Sequence, residues 1–390
     1  MTSDRQFRVQ FWQLVDDNFR TFILKTKPNS PFHALRLQIT VLSYAILGHR
    51  YFYIWARKNP KLRAFLDYFD LEVLHELSTW MGDDYSKQLL IKLMARKMLH
   101  DSVHLDHVID NLKVKVAHEQ AEGLVKKPET YSVSLGDHSW VLNFYDLSSI
   151  GYPLCAHLHR SNVACTFMFE QYRYKRNNID IGVEKGDIAI DGGGCWGDTA
   201  LYMAAKGAER VYSFEFSEEN LKILDQNLAA NPKLTEHITV VQKAIWNEDG
   251  VHLNFQTQGP ATSLVKLDGG SDHVDTVTID TFVEQMKIER VDFIKMDIEG
   301  AEMNALKGAR KTIERFGPKL AITVYHKPED LFTIPQLMKS IRPDYDLYLD
   351  HFTTGATETV LFAVPRGGRT AVSQPRISEA AAHVATNHAS

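Results

Sequence analysis

Cysteine is scarce in this 390-residue chain: Cys155, Cys165 and Cys195 are the only three, and no two form a CxxC pair. That excludes a disulfide framework and a cysteine-based zinc site, and it suits a reducing compartment. The basic excess of a nucleic-acid binder is also missing. Lys plus Arg number 44 against 49 Asp plus Glu, for a formal net charge of −5, so nucleic acid is not an expected partner. Long apolar runs are absent. The N-terminus, MTSDRQFRVQFWQLVDDNF, carries charge where a secretory leader needs an apolar stretch. The most apolar early segment, residues 39–48, is about ten residues long, too short to cross a bilayer. A soluble, cytoplasmic protein with no transmembrane segment is expected.

The chain is 44% hydrophobic and 24% charged, enough apolar material for sizeable cores. At roughly 150 residues per domain its length suggests two or three units. Residues 1–127 read as helical. Phe11, Leu14, Val15, Phe19, Phe22 and Ile23 recur at helical spacing, as does the run from Leu71 to Leu77. A third helix is expected over 86–99, after Asp83 and Asp84. Trp12 and the phenylalanines of the first helix would suit a membrane surface, but Asp16 and Asp17 on it favour packing against the protein itself. Residues 128–178 form a connecting region whose strands, 131–135 and 140–144, flank a Gly136-Asp137-His138 turn.

From 179 to 365 short β-rich runs alternate with helical stretches. The strands are 188–190, 211–214, 238–241, 291–294 and 320–324, with amphipathic segments at 218–229 and 302–316. Such alternation gives an α/β fold: a Rossmann-like parallel sheet covered by helices on both faces. Runs 346–349 and 360–363 have no helix between them and should close the sheet as an antiparallel hairpin. The tail, 366–390, lacks apolar periodicity and reads as disordered.

A buried strand enters the turn Asp191-Gly192-Gly193-Gly194-Cys195-Trp196-Gly197 and leaves it as a helix through Thr199. Gly192, Gly194 and Gly197 satisfy G-x-G-x-x-G, a pattern that lets backbone approach a ligand at the carboxyl ends of parallel strands. Asp191 separates two ligands. A carboxylate there would repel a dinucleotide pyrophosphate, whereas S-adenosylmethionine brings an ammonium and a sulfonium that an acid attracts. Glu215 ends the second strand twenty-four residues later and is placed to accept from two ribose hydroxyls, with Phe216 and Asn220 beside it. At the third strand's end, Ala244 and Ile245 are candidates for the adenine wall, along with Trp246.

Phe293-Ile294-Lys295-Met296-Asp297-Ile298-Glu299-Gly300-Ala301-Glu302 puts acids at another carboxyl edge. Asp297 is read as functional there, and Glu302 as a helix cap. His326, after the strand 320–324, is the second candidate base, because a histidine titrates near neutrality. Lys295 would orient an acid or an anionic acceptor, or form a buried structural ion pair. Asp297 and Glu299 offer hard oxygens suited to Mg²⁺, but two carboxylates alone do not make a metal site and none is assigned. His100, His104 and His107 share one helical face without nearby cysteine, and Phe169, Tyr172 and Tyr174 are aromatic candidates for an acceptor wall.

These residues in this order resemble the FkbM-type methyltransferase family. The matches are 190–197, Phe214-Glu215 with Asn220, Val277-Thr278-Ile279-Asp280, 294–302 and Leu306-Lys307-Gly308-Ala309, within about residues 165–365. The resemblance implies a seven-stranded methyltransferase sheet ending in an antiparallel hairpin. It also implies S-adenosyl-L-methionine as cofactor and, usually, O-methylation of sugars, glycans or natural products. Asp191, Gly193, Gly197 and Glu215 carry over as cofactor contacts. Cys195 stands where family members often have Asn, and Phe216 where they often have Pro. Small-molecule or glycan acceptors are the expected partners, and self-association is compatible with this reading. The competing readings are an NAD-dependent oxidoreductase using the same loop and a methyltransferase-fold scaffold without catalysis. A base N-methyltransferase would place an Asn/Asp-Pro-Pro-Tyr-like turn where this chain has Met296-Asp297-Ile298-Glu299.

Overall fold

The computed structural model describes residues 2–25, 68–97, 111–135, 138–176, 178–256, 263–265, 273–355 and 357–367. The apolar segment 39–48, the histidines at 100, 104 and 107, and the tail beyond 367 lie outside the described residues. Among the described residues no helix is long and apolar enough to cross a membrane.

The N-terminal part supplies α1 (Thr2–Lys25), α2 (Leu71–Trp80), α3 (Asp84–Lys97) and α4 (Asn111–Glu122). A small antiparallel sheet follows, of β1 (Val125–Leu135), β2 (His138–Asp146) and β3 (Cys155–Leu158), with the expected hairpin joining the first two. A short ribbon, β4 (Tyr174–Arg176) and β5 (Ile179–Ile181), leads into the main sheet. There β6 (Ile188–Gly192), α5 (Asp198–Ala205), β7 (Arg210–Phe214), α6 (Glu218–Ala229) and β8 (Ile238–Val241) follow in βαβ order. Next come β9 (Ala244–Ile245), β10 (His252–Gln256), β11 (Ser263–Val265) and β12 (His273–Val277), which form a small sheet beside the main one. The chain then returns through α7 (Ile279–Gln285) and β13 (Phe293–Met296), α8 (Glu302–Gly308), α9 (Arg310–Phe316), β14 (Lys319–Thr323) and α10 (Asp330–Ile341). It closes with the antiparallel hairpin β15 (Tyr345–His351) and β16 (Thr359–Pro365).

The seven-stranded order is β15-β16-β14-β13-β6-β7-β8, parallel from β14 to β8. The sheet grows outward from β6 in both directions, so the order reverses between β6 and β13. Ligands of open α/β sheets bind at such a reversal, beyond the carboxyl ends of the strands. Successive side chains point to opposite faces of a strand, and both faces are apolar here. Ile190 and Ile294 join a core that takes in Phe7, Phe11 and Val15 of α1, Leu74 and Leu77 of α2, and residues of α3. Their neighbours Ala189 and Phe293 join the other core, with α5, α6 and the small sheet β1–β3. The apolar residues Phe7, Phe11 and Val15 of α1 are thus spent on the protein interior.

Two details differ from the sequence pattern. The amphipathic segment 302–316 is two helices, because the Asp280 carboxylate accepts the amides of Lys311 and Thr312 and so starts a new helix there. Edge strand β15 is not open either: Met81 bridges to Leu347, and the Gly82 amide donates to the Leu347 carbonyl at 2.7 Å. A side chain at Gly82 would fall within 2.5 Å of the Tyr348 ring, so only glycine lets the chain lie against that edge.

Candidate active site

Three neighbouring strands put one polar row behind the glycine turn. Ser213 of β7, Asp191 of β6 and Lys295 of β13 are register partners. Asp191 is wholly buried; it accepts from Ser213 Oγ at 2.8 Å and from Thr199 Oγ1 at 2.9 Å, and pairs with Lys295 Nζ at 3.1 Å. The same ammonium donates to the carbonyls of Gly192 (3.0 Å) and Gly193 (2.7 Å). Burial works against the Lys295 charge, yet Asp191 and then Asp297 outweigh it and raise its pKa. Asp191 was expected to meet a ligand directly. Its oxygens are instead filled from within, and it fixes the turn from one layer behind.

The turn's glycines are each required locally. Gly193 has φ +86, and a Cβ there would lie 2.0 Å from the Asp297 carbonyl oxygen. A Cβ on Gly194 would meet Ser213 Oγ at 2.4 Å. Both amides donate to the Phe214 carbonyl, at 3.1 and 2.8 Å, which ties the turn to β7. Cys195 also has positive φ, +45, a conformation that suits Asn better than a thiol-bearing residue. Glu215, 6% exposed, accepts the amides of Phe216 and Ser217 on Oε1 (2.7 Å each) and the Asn220 amide on Oε2 at 3.2 Å. Burial raises its pKa.

On the other side of the reversal, acids converge on one imidazole. His326 Nδ1 contacts Glu302 Oε1 at 2.9 Å, while Nε2 stands 3.5 Å from Asp297 Oδ1 and 3.4 Å from Glu299 Oε2. Burial favours the neutral ring, but Glu299, Glu302 and Asp297 together raise its pKa to about 11. With no cation beside them, these acids favour the protonated ring, which weighs against His326 as the free base its residue type suggested. Glu302 accepts the Ile298 amide (2.9 Å), as a cap would, and also the Thr323 hydroxyl (3.1 Å). Asp297 accepts from the Tyr172 hydroxyl at 2.7 Å and faces Tyr325 at 3.4 Å. Burial, then Asp297, keeps the Tyr172 phenol well above its usual pKa, so it remains a donor.

Between these halves lies a cavity of about 230 Å³. Of the expected residues it takes in Gly193, Thr199, Lys295 and Asp297. Asp191, Gly192, Gly194, Gly197, Glu215, Phe216, Asn220, Ala244, Ile245 and His326 are not on its wall; Ile245 packs in the core with its tip 3.2 Å from where a Gly192 Cβ would be. Of the three aromatic candidates, Tyr172 lines the cavity, whereas Phe169 and Tyr174 pack in the core. Sequence reasoning missed Asp198, Thr166, Gln171, Trp140 and Glu358, which also line it. Asp198 accepts from Thr166 (2.7 Å) and Asn162 (3.2 Å), and burial raises its pKa. Glu358 holds the Gln171 amide at 3.0 Å; burial, then Asp297, pushes its pKa up to about 7.

The lid of the cavity comes from the connecting region, docked by two asparagines of and just after α6. Asn227 bonds both the amide (2.6 Å) and the carbonyl (3.0 Å) of His157, and the Trp196 carbonyl besides (2.8 Å). Asn231 does the same for Cys155, at 3.0 and 2.6 Å. The outer edge of β3 is thereby satisfied as if by another strand. The wide helical turn Val163–Met168 then carries Thr166 and Cys165 over the glycine loop.

Residues 180–346 match the family model described as the methyltransferase FkbM domain. No curated protein matches the chain. Among solved structures, the methyltransferase FkbM of Methylobacillus flagellatus KT aligns at 22% identity and TM-score 0.47, over 75% of this chain and 58% of that one. This chain therefore spans little more than half the length of that relative. A putative rRNA methylase of Clostridium thermocellum aligns at 13% identity and TM-score 0.32, over 47% of this chain and 88% of its own. Aeropyrum pernix fibrillarin in complex with S-adenosyl-L-methionine aligns at 14% identity and TM-score 0.31, over 60% and 99%.

Proposed function

We propose that this chain, which carries an FkbM-type methyltransferase domain over residues 180–346, transfers the methyl group of S-adenosyl-L-methionine to a hydroxyl of a sugar, glycan or natural-product acceptor. The observation that carries the proposal is the cavity at the β6/β13 reversal. Among the described residues its wall holds Asp198, Asp297, Glu299 and Glu358 against one ammonium, that of Lys295. A cationic donor is attracted by such a wall and an anionic pyrophosphate is repelled, which favours the methyl donor over NAD. The attraction first ascribed to Asp191 falls to these acids.

The residues fit the cofactor chemically. Glu215 Oε2 accepts from Asn220, and a carboxylate oxygen has more than one lone pair to offer a ribose hydroxyl. Gly193, on the cavity wall, puts no side chain between the turn and the cavity. When bound, the cofactor supplies an electrophilic methyl on a sulfonium. The protein's share is alignment and exclusion of water, effects worth up to roughly 7–11 kcal/mol. Trp140, Thr166 and Tyr172 close the cavity from the lid side. An acceptor hydroxyl must lose a proton, and Asp297 is the cavity carboxylate that accepts the lid tyrosine Tyr172 at 2.7 Å and whose backbone lies against Gly193. Lys295 acts as a structural ion pair holding Gly192 and Gly193. The three cysteines are free, in keeping with a cytoplasmic setting.

Calorimetry tests the cofactor. S-adenosylhomocysteine should bind and NAD should not; binding of NAD alone overturns the proposal. Incubation with methyl-labelled S-adenosyl-L-methionine and a metabolite extract, read by mass spectrometry, then identifies the acceptor, and a labelled hydroxyl product is the expected result.

A further inference from the structure

The acids around His326 do more than orient a ring. Reaching atoms of Asp297, Glu302 and His326 all lie within 4.8 Å of one another, and Glu299 Oε2 is 3.4 Å from the same imidazole nitrogen. Two buried atoms of this group have no hydrogen-bond partner: His326 Nε2, on a side chain 8% exposed, and Glu302 Oε2, on a side chain 1% exposed. The Nε2 atom faces Asp297 Oδ1 and Glu299 Oε2, but at 3.5 and 3.4 Å and without hydrogen-bond geometry. Unsatisfied atoms at this depth are uncommon and call for a partner.

The spacing identifies that partner. Two ligand atoms each about 2.1 Å from one ion stand about 3.0–3.4 Å apart in octahedral or tetrahedral coordination, close to the observed separations. Glu302, bonded to Nδ1 at 2.9 Å, turns the other ring nitrogen toward the acids, as carboxylates behind metal-bound histidines do. We propose that Asp297 and His326, backed by Glu299 and oriented by Glu302, hold a divalent first-row transition ion at the cavity floor. An imidazole among carboxylates suits Mn²⁺, Fe²⁺ or Zn²⁺ better than Mg²⁺ or Ca²⁺, which take oxygen. Asp297 and Glu299 also line the cavity, so the ion is within reach of an acceptor oxygen and would lower the pKa of its hydroxyl. That last role rests on the methyl-transfer reading; binding of the ion does not.

The test uses the full chain, stripped with chelator and titrated with Mn²⁺ under electron paramagnetic resonance. One Mn²⁺ per chain should bind, with nitrogen coupling from an imidazole in the pulsed spectrum. His326→Ala should abolish the coupling, and the isosteric Asp297→Asn should weaken binding about tenfold or more. Glu209→Gln, a surface control, should change neither. Circular dichroism checks that each variant is folded, and Asp297→Asn stands in should His326→Ala fail. Absence of stoichiometric Mn²⁺, or binding unchanged in Asp297→Asn, overturns the proposal. S-adenosylhomocysteine calorimetry on the same preparation keeps the two readings apart: cofactor binding without Mn²⁺ sinks only the ion, and the converse sinks only methyl transfer.

Discussion

The two sides of the β6/β13 reversal solve opposite problems with the same residue types. On the glycine-loop side one buried carboxylate, Asp191, meets one buried ammonium and two hydroxyls, so charge and hydrogen bonds close on themselves. On the other side Asp297, Glu299 and Glu302 crowd one imidazole, and Glu358 adds another acid held near neutral pKa by burial. A satisfied network is rigid and positions backbone; an under-neutralised one costs stability and attracts cations. The first is scaffold and the second is where we place the chemistry.

The sharpest way to break this contrast is at the loop. Gly193→Ala forces a Cβ 2.0 Å from a carbonyl oxygen at φ +86. It should cost more than about 4 kcal/mol in chemical denaturation and abolish S-adenosylhomocysteine binding. Gly186→Ala, with φ +87 but nothing within 4 Å, should cost only about 1 kcal/mol, separating close approach from backbone strain. A small effect at Gly193 would mean that the turn is not held as described.

Next in size is the ion pair. Lys295→Met strands Asp191 in the interior and should cost about 3–5 kcal/mol, while the double variant Asp191→Asn/Lys295→Met should regain much of the loss. Additive losses in the double variant would show that the two charges are not balanced against each other.

The acidic side should respond with the opposite sign. Glu358 has its pKa raised to about 7 by burial. Its unfolded carboxyl releases the proton first, so the folded state binds more protons between about 4.5 and 7, and stability falls as pH rises through that window. Glu358→Gln removes this penalty. The variant should be more stable than the parent above pH 7, by up to about 3 kcal/mol, with the difference vanishing toward pH 4.5. Equal stabilities at pH 8 would count against a strained acidic half. The smallest expected change is Cys195→Asn, which relieves φ +45 and should shift stability by less than about 1 kcal/mol, upward. A loss exceeding that would show the thiol to be packed for a reason.

Much of this was legible in the chain. Alternation of Ile188-Ala189-Ile190 and Phe293-Ile294 with amphipathic helices announced a doubly covered parallel sheet, and the helix-free interval between 349 and 360 announced its closing hairpin. Asp297 and the glycine turn were visible because strand ends and glycines carry local signatures. Asp198 was hidden, since an acid in a helix's first turn reads as a cap. Glu358 was hidden for a different reason: nothing local distinguishes a buried acid from a solvated one.

What the sequence determined by itself is the periodic burial and the turn chemistry, both set by neighbours within a few residues. What the tertiary structure decided is the partner of each charge. Asp191 was available to a ligand until register placed Lys295, about a hundred residues away, beside it; His326 was a plausible base until three acids from another strand's end surrounded it. Coulomb energy depends on distance and dielectric, and strand pairing and burial fix both only once the chain has folded.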